Sequence, residues 1–373
     1  MRRFREAPLW ARLCLVIGVS VALVSGAVVT GSLLLSAYAQ NSVPQEALLP
    51  ADLRGRSIDG PLNILLLGMD QRANSDDMIR SDSVIIVHVN AAHGQAYLVS
   101  LPRDGKVEVP PFPATNYPGG VDKLTEAFAL GNRIRKPGGG WTGDPSVAGR
   151  QRGVELLART IDKLTPGGLA FNAVAIINFR GFEAVVRALG GIRLCVDERT
   201  ISDHYDATGR YVGLTTTNGV PGYVYERGCQ DMQPWQALDY VRQRKHLELN
   251  DGDYGRQRHQ QQFLYAVFKK LLSSQTLTDI RKVNALRDAA GDLLTVDLGG
   301  VTLLDWLFSM KNVRTSDVTL VKTNAGQFAS EKFDGQDFEK ILPDTLKLLT
   351  AVSSDQVDSF LIQHPDWIAR PEG

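Results

Sequence analysis

Surplus charge is what this chain most obviously lacks: 41 lysines and arginines balance 41 aspartates and glutamates. With no global basic field there is nothing to draw a nucleic acid to the surface as a whole. Any anion site must therefore come from a local cluster. Several catalytic signatures are missing too. There is no Gly-x-x-x-x-Gly-Lys loop, which argues against a P-loop NTPase, and no Gly-x-Ser-x-Gly elbow. The 6 histidines form no HExxH pattern, which disfavours a zinc hydrolase; His246 and His259 read as ordinary polar residues of a loop and a helix, and Trp235 as core packing. Internal repeats, low-complexity tracts and a helix-turn-helix pattern are likewise absent.

The long apolar run is present, and it decides compartment. MRRFREAPLWAR carries four arginines and one glutamate, and Leu13 to Ala37 then runs free of charge. That length spans a bilayer, and the basic flank before it keeps the amino terminus inside. The expectation is a cytoplasmic tail (1–12), a transmembrane helix (13–37), a polar linker (38–60) and an exported remainder, a single-pass protein of the cell membrane. A cleaved signal peptide is the rival reading, since Ala37-Tyr38-Ala39 resembles a cleavage site. Both readings put the bulk of the protein outside the cytoplasm. Cysteine is scarce, and only Cys195 and Cys229 lie beyond the span. An even count in an oxidising compartment predicts one disulfide, against the alternative of two buried free thiols.

From Pro61 onward strand and helix patterns mix along one core, so the fold class is α/β, a single domain over 61–325 followed by a C-terminal helix and tail (326–373). Leu62–Gly68, Ser83–Asn90 and Gln95–Leu101 read as strands, the last two joined by a hairpin at Ala91-Ala92-His93-Gly94. Later strands are expected at Asn172–Phe179, Ile192–Val196 and Val318–Lys322. Helices are expected at Lys123–Asn132, Gly153–Leu164, Gly181–Leu189, Gln233–Arg244, Arg256–Ser273, Leu277–Leu293, Leu303–Met310 and Phe338–Val352. Asn132–Gly149 reads as a loop, Asp203–Tyr225 as a surface excursion, and the tail after Ser353 as polar.

Two charge clusters carry chemistry. Asp70 ends one apolar run and Asp82 begins the next, with Arg72 and Arg80 between them and Arg103 in the following SLPRD. Carboxylates among arginines suit a divalent cation and a polyanion: hard oxygens for Mg²⁺, guanidinium forks for phosphate. The second cluster runs from Tyr240 to Gln262. Arg242 and Arg244 end a helix, Asp251 and Asp253 occupy a loop, and Gly255 and Arg256 open a helix whose free N–H groups favour phosphate. Arg256 and Gln260 share a face, being one turn apart. The alternative for this stretch is a solvated charged loop.

In order along the chain, NILLLGMDQR, IRSDSVIIVHVN, YLVSLPRD, KLTEAFALGN, INFRGFEAVVRALGGIRL, ALDYVRQRKH and GDYGRQRHQQQFL closely resemble the motifs of the LytR-CpsA-Psr proteins, enzymes of the bacterial envelope. The resemblance covers Pro61 to Leu272 and extends towards Thr323. It implies a central mixed or antiparallel sheet flanked by helices, with a lipid pocket between them. It also implies a phosphotransferase moving a glycopolymer from a polyprenyl-pyrophosphate carrier onto peptidoglycan. In that pattern Asp70 and Asp82 hold Mg²⁺ (or Mn²⁺). Arg72, Arg80, Arg103, Arg242, Arg244 and Arg256 surround the pyrophosphate, with Lys123, Asp253 and Gln260 beside them. Asp82, Arg103 and Arg80 are the expected catalytic residues, and Asp82 or Asp253 the candidate base. The Cys195 and Cys229 pair looks like the actinobacterial subset. One departure stands out: His259 replaces the family's second helix arginine and Arg258 is displaced by one position, a rotation of about 100°. A weakened or pH-dependent subsite is the expectation there. Two other readings compete, hydrolysis of the same lipid pyrophosphate and a membrane-tethered lipid-binding regulator without turnover.

Overall fold

The computed structural model describes residues 45–55, 57–69, 77–271 and 294–369. The expected cytoplasmic tail and transmembrane helix lie outside these residues, as do positions 38–44 and 56 of the linker, Asp70, Arg72 and the helix expected at Leu277–Leu293. Among the described residues no helix is long and apolar enough to cross a membrane.

The elements that build the main sheet, its helical layers and the surroundings of the site follow in chain order. The strands are β1 (Leu62–Met69), β2 (Ser81–Val89), β3 (Ala96–Leu101), β4 (Ala173–Asn178), β5 (Ile192–Val196), β6 (Thr200–Asp206), β7 (Gly222–Tyr225), β8 (Gly228–Met232), β9 (Leu294–Asp297), β10 (Val318–Lys322), β11 (Ser330–Phe333), β12 (Gln336–Glu339) and β13 (Ile368–Ala369). The helices are α1 (Leu124–Asn132), α2 (Val147–Leu164), α3 (Phe179–Ala188), α4 (Pro234–Tyr240), α5 (Gly252–Leu271), α6 (Leu303–Ser309), α7 (Pro343–Ser353) and α8 (Val357–Gln363). Seven strands form one mixed sheet in the order β9-β4-β1-β2-β3-β10-β13. β1 pairs antiparallel with β2 and parallel with β4.

Strand alternation explains why the two faces of this sheet differ. In β1 the residues Leu65, Leu67 and Met69 are fully buried, whereas Ile64, Leu66 and Gly68 between them are only partly covered. Successive side chains point to opposite faces. The first set packs with Val84, Ile86, Val99 and Leu101 against α1, α2, α7 and α8. That side is tight: a Cβ on Gly131 of α1 would stand 2.4 Å from the Arg152 carbonyl oxygen of α2, so only glycine permits the crossing. The second set faces α5, and there the sheet is roofed without being filled.

Several boundaries differ from the sequence reading. Phe338 belongs to strand β12, paired with β11, so the helix expected from Phe338 starts at Pro343. The stretch after Ser353 is no polar tail: α8 and β13 bury Phe360, Leu361 and Trp367, and β13 closes the edge of the main sheet on β10. Alternating polar residues there masked a helix only two turns long. Asn132–Gly149 is not all loop, because Arg133–Arg135 and Trp141–Gly143 pair as a small hairpin and Ser146 caps α2. α4 stops at Tyr240, leaving Arg242 and Arg244 on a turn. Cys195 and Cys229 face each other across β5 and β8 and are joined by a disulfide.

Candidate active site

Between the open face of the sheet and the layer of α3, α4 and α5 lies a cavity of about 520 Å³. Its floor is a contiguous apolar patch: Leu66 is the register partner of both Ile85 and Ala175, and Ile177 pairs with Gly68. Gly68 is required there, since a Cβ would meet Ser83 Cβ at 2.9 Å. The roof comes from Phe182, Phe263 and Leu264, with Phe182 and Phe263 stacked at 3.9 Å between ring centres. Asn178 sets the position of Phe182, because its side-chain oxygen accepts the Gly181 N–H (2.9 Å) and starts α3 at that point.

One stripe of α5 then carries the cavity from apolar to charged. Leu264, Phe263, Gln260 and Arg256 all line it, and they recur at helical spacing towards the N-terminal end. At the charged mouth Arg103 donates to Asp82 Oδ1 (2.6 Å). Arg256 donates to the Asp82 backbone carbonyl (2.9 Å) and pairs with Asp253 Oδ1 at 2.8 Å. The Nε of Arg103 also lies 3.5 Å from Asp253 Oδ1 and 3.4 Å from Asp104 Oδ2. Arg242 and Arg244 line the same mouth from the turn after α4. Buried Gln243 fixes that turn, donating to Asp239 Oδ1 (2.7 Å) and accepting from the Asp203 N–H (2.9 Å), so the two arginines flank a pinned residue.

Electrostatics at the mouth favour an anion. Burial pulls the Arg256 guanidinium below its ordinary value; Asp253 works against this, and Arg103 nearby reinforces it. Burial also pulls on Arg103, but Asp253, Asp104 and Asp82 outweigh it and leave that group raised. Two guanidiniums held this close in a half-dry mouth gain from a doubly charged ligand between them.

The remaining expected residues fall in distinct places. Arg80 pairs with Glu126 on α1 and does not line the cavity. Lys123 sits in a second, smaller pocket, where its ammonium donates to Asp104 Oδ1 (3.1 Å). Asp253 lies in the first turn of α5 and not in a loop, because that helix opens at Gly252. Arg256 is therefore a full turn inside the helix, and its side chain, not the helix N-terminus, reaches the cavity. His204, Asp203 and Lys245 also line the mouth, though the sequence reading did not single them out as site residues. For Lys245 the signal was there, in the same Arg-Gln-Arg-Lys run.

At residues 258 and 259 the one-position shift does turn Arg258 away, and His259 does not take its place at the cavity. Arg258 pairs with Asp197, Glu198 and Asp251, away from the cavity. His259 does not line the cavity either. It is wholly buried, stacked on Tyr240 at 4.1 Å, with Nε2 3.4 Å from Glu198 Oε1. Neither residue is therefore part of an anion subsite.

For a divalent metal, Asp82 fits in chemistry: one carboxylate oxygen serves Arg103, and the group is a hard donor at the mouth of the cavity. Its expected partner Asp70 lies outside the described residues. Asp197, Glu198 and His259 also place ligand-type atoms within 4.8 Å of one another, compatible with a divalent ion. Arg258 already supplies a positive charge to both of those carboxylates.

The LytR_cpsA_psr family model matches residues 35–344. A similar curated relative is the polyisoprenyl-teichoic acid--peptidoglycan teichoic acid transferase TagU of Bacillus mycoides (strain KBAB4), 31% identical over 219 residues, 58% of this chain and 55% of TagU. TagT of Bacillus subtilis (strain 168) is 27% identical over 263 residues, 69% of this chain and 67% of TagT. The cell wall biosynthesis protein LcpA of Corynebacterium glutamicum is 25% identical over 284 residues, 71% of this chain and 50% of LcpA. The match thus spans little more than half the length of the TagU relative. Among solved structures, B. subtilis TagV superposes with a TM-score of 0.56 at 18% identity, covering 80% of this chain and 98% of TagV. TagT bound to LI-WTA gives 0.53 at 22% identity, covering 82% and 94%. These likenesses establish a shared α/β fold with a mixed central sheet, and the family match identifies this chain as a member of the LytR_cpsA_psr family.

Proposed function

We propose that this chain is a membrane-anchored, extracytoplasmic phosphotransferase that moves a glycopolymer from a polyprenyl-pyrophosphate carrier onto peptidoglycan. The cavity carries this reading. A single chamber of about 520 Å³ is apolar along the sheet and ringed by Arg103, Arg242, Arg244 and Arg256 at one end. A hydrocarbon chain bearing a pyrophosphate has the same two-part chemistry. ATP and other soluble nucleotides would leave the apolar floor unused. The names of TagU and TagT refer to transfer of this class.

In the proposed reaction an acceptor hydroxyl oxygen attacks the glycan-bearing phosphorus. The bond from that phosphorus to the bridging oxygen breaks, polyprenyl phosphate leaves with the electron pair, and the hydroxyl proton passes to Asp82 or Asp253. Phosphoryl transfer depends on alignment and charge neutralisation more than on covalent help. Asp82 and Asp253 hold Arg103 and Arg256 at the mouth, where their guanidiniums would stabilise charge that develops on the phosphate. Mg²⁺ or Mn²⁺ held by Asp82, and by Asp70 from the sequence pattern, would neutralise phosphate charge when bound.

The test is transfer of a labelled glycan from lipid pyrophosphate to peptidoglycan by the full-length protein. Asp82→Ala and Arg103→Ala are expected to slow transfer about a hundredfold or more, and normal rates in both would sink the assignment. Release of free phosphorylated glycan alone would indicate hydrolysis; lipid binding without turnover would indicate a receptor.

A further inference from the structure

Asp253 has a second neighbourhood. It also lines a smaller pocket of about 170 Å³, bounded by Asp104, Lys123, Asp253, Phe328, Ser330 and Phe338 among others. We propose that this pocket is a saccharide subsite that takes one pyranose ring of the glycan acceptor. The inference rests on the transferase reading above and adds to it the place where the second substrate sits.

Size comes first. A void of roughly 150 Å³ accommodates a benzene ring, so this open-sided pocket of about 170 Å³ has room for about one six-membered ring, with the neighbouring units of a glycan outside it. Its walls have the two characters a sugar needs. Phe328 is 53% exposed and offers a ring face, braced edge-on against Tyr254 at 5.1 Å. Such an exposed ring costs solvation and suits the apolar C–H face of a sugar. Of the three exposed phenylalanines among the described residues, Phe308, Phe328 and Phe333, the latter two belong to the segment that forms this wall. Polar atoms complete the pocket: Ser330, the Lys123 ammonium on Asp104 (3.1 Å), and Asp253, whose Oδ2 accepts from Gln257 (3.2 Å).

Charge then chooses between the two substrates. Asp104, Asp253, Asp337 and Glu339 line the pocket with Lys123, no arginine lines it, and the nearest guanidiniums, Arg103 and Arg256, are those already paired with Asp104 and Asp253. A phosphate-bearing donor is better served by the four arginines that line the larger cavity, whereas sugar hydroxyls can donate hydrogen bonds to the carboxylates here. The wall is also fixed in place. Buried Glu339 accepts from the Tyr254 hydroxyl (3.0 Å) and the Ala329 N–H (2.7 Å), and its own N–H donates to the Asp104 carbonyl (2.9 Å). The pocket adjoins the arginine mouth through shared carboxylates: Asp253, which lines it, also pairs with Arg256 at 2.8 Å and lies 3.5 Å from Arg103, so a ring seated there would sit next to the proposed phosphate site.

A neutral N-acetylglucosamine tetramer, titrated calorimetrically into the full-length protein, tests this without turnover. Native protein and Phe328→Tyr should bind it. Phe328→Ala should weaken binding at least tenfold, while the Kd for a polyprenyl-pyrophosphate donor stays within twofold. Failure of the native protein to bind the tetramer, equal binding by Phe328→Ala, or loss of donor affinity in its place would each overturn the assignment. If the tetramer binds as expected but no glycan is ever transferred, the subsite stands and the transferase reading falls.

Discussion

At the scale of single residues, the helix α5 separates two jobs that its sequence places side by side. Arg256 points into the cavity mouth, and Arg258, two positions on, is committed to Asp197, Glu198 and Asp251. Burial pushes the Asp197 carboxyl up, but Arg258, His259 and Gln262 together outweigh it and leave the group below its ordinary value of 3.8. For Glu198, burial is likewise overcome, by His259, the Leu249 N–H and Arg258 together, so it lies below 4.5. Carboxyls depressed in the folded state stabilise it above their unfolded values, and that stability is lost as pH falls through the folded ones. Denaturant midpoints should therefore hold steady above about pH 4.5 and decline below it. Removing Arg258 strands three carboxylates, so Arg258→Met should cost about 3–5 kcal/mol near neutral pH. Its acid decline should be shallower, because unpaired buried carboxyls take up protons readily. An Arg258→Met midpoint equal to that of the native protein at neutral pH would show the cluster to be structurally idle. The one-position shift implies that Arg258 faces away, but not where it goes, because two of its three partners, Asp197 and Glu198, lie about 60 residues distant and only the fold brings them close.

At the scale of elements, the cavity arises because β1 has two dissimilar faces and α5 covers the looser one. The periodicities were legible: a continuous apolar run for β1, and a shared face for Arg256 and Gln260. What could not be read was how far apart sheet and helix stand, since both faces of β1 are apolar and only packing distinguishes a core from a chamber. Turns were also misjudged, with α4 expected to run on to Arg244 when it ends at Tyr240. High helix propensity in Arg-Gln-Arg-Lys favoured continuation, but buried Gln243 bonds to Asp239 and Asp203 and draws the chain into a turn. The chamber itself can be tested by filling it. Ala175 lies on the floor beside Leu66, so Ala175→Phe places a ring where the hydrocarbon chain is proposed to lie. Affinity for a long-chain polyprenyl-pyrophosphate donor should fall at least tenfold, while a short water-soluble pyrophosphate ester binds as before. Equal loss for both ligands would mean that the substitution disturbs the mouth and not the chamber.

At the scale of the whole molecule, the chain closes on itself beyond the part that the family pattern covers. The family match ends at residue 344, and the sequence reading set 326–373 apart as a helix and tail. Yet β13 forms the last strand of the main sheet, and Trp367, Phe360 and Leu361 enter the same apolar cluster as Leu101, Phe128 and Leu157. Side-chain bonds reinforce that closure: the Tyr97 hydroxyl donates to Asp358, and His88 Nε2 lies 3.0 Å from Asp355. A two-residue strand and a short helix give little periodic signal, so their role depends on contacts with β2 and β3 far back in the chain. An appended tail and a closing element behave differently on heating. If the segment were an appendage, Trp367→Ala would leave the main unfolding transition where it is and add, at most, a small separate one. Because Trp367 is only 4% exposed within the shared core, the substitution should lower the stability of the entire domain by about 3–5 kcal/mol. Fluorescence and circular dichroism should then report one coincident transition at a lower temperature; two transitions, or an unmoved one, would detach the C-terminal segment from the folding unit.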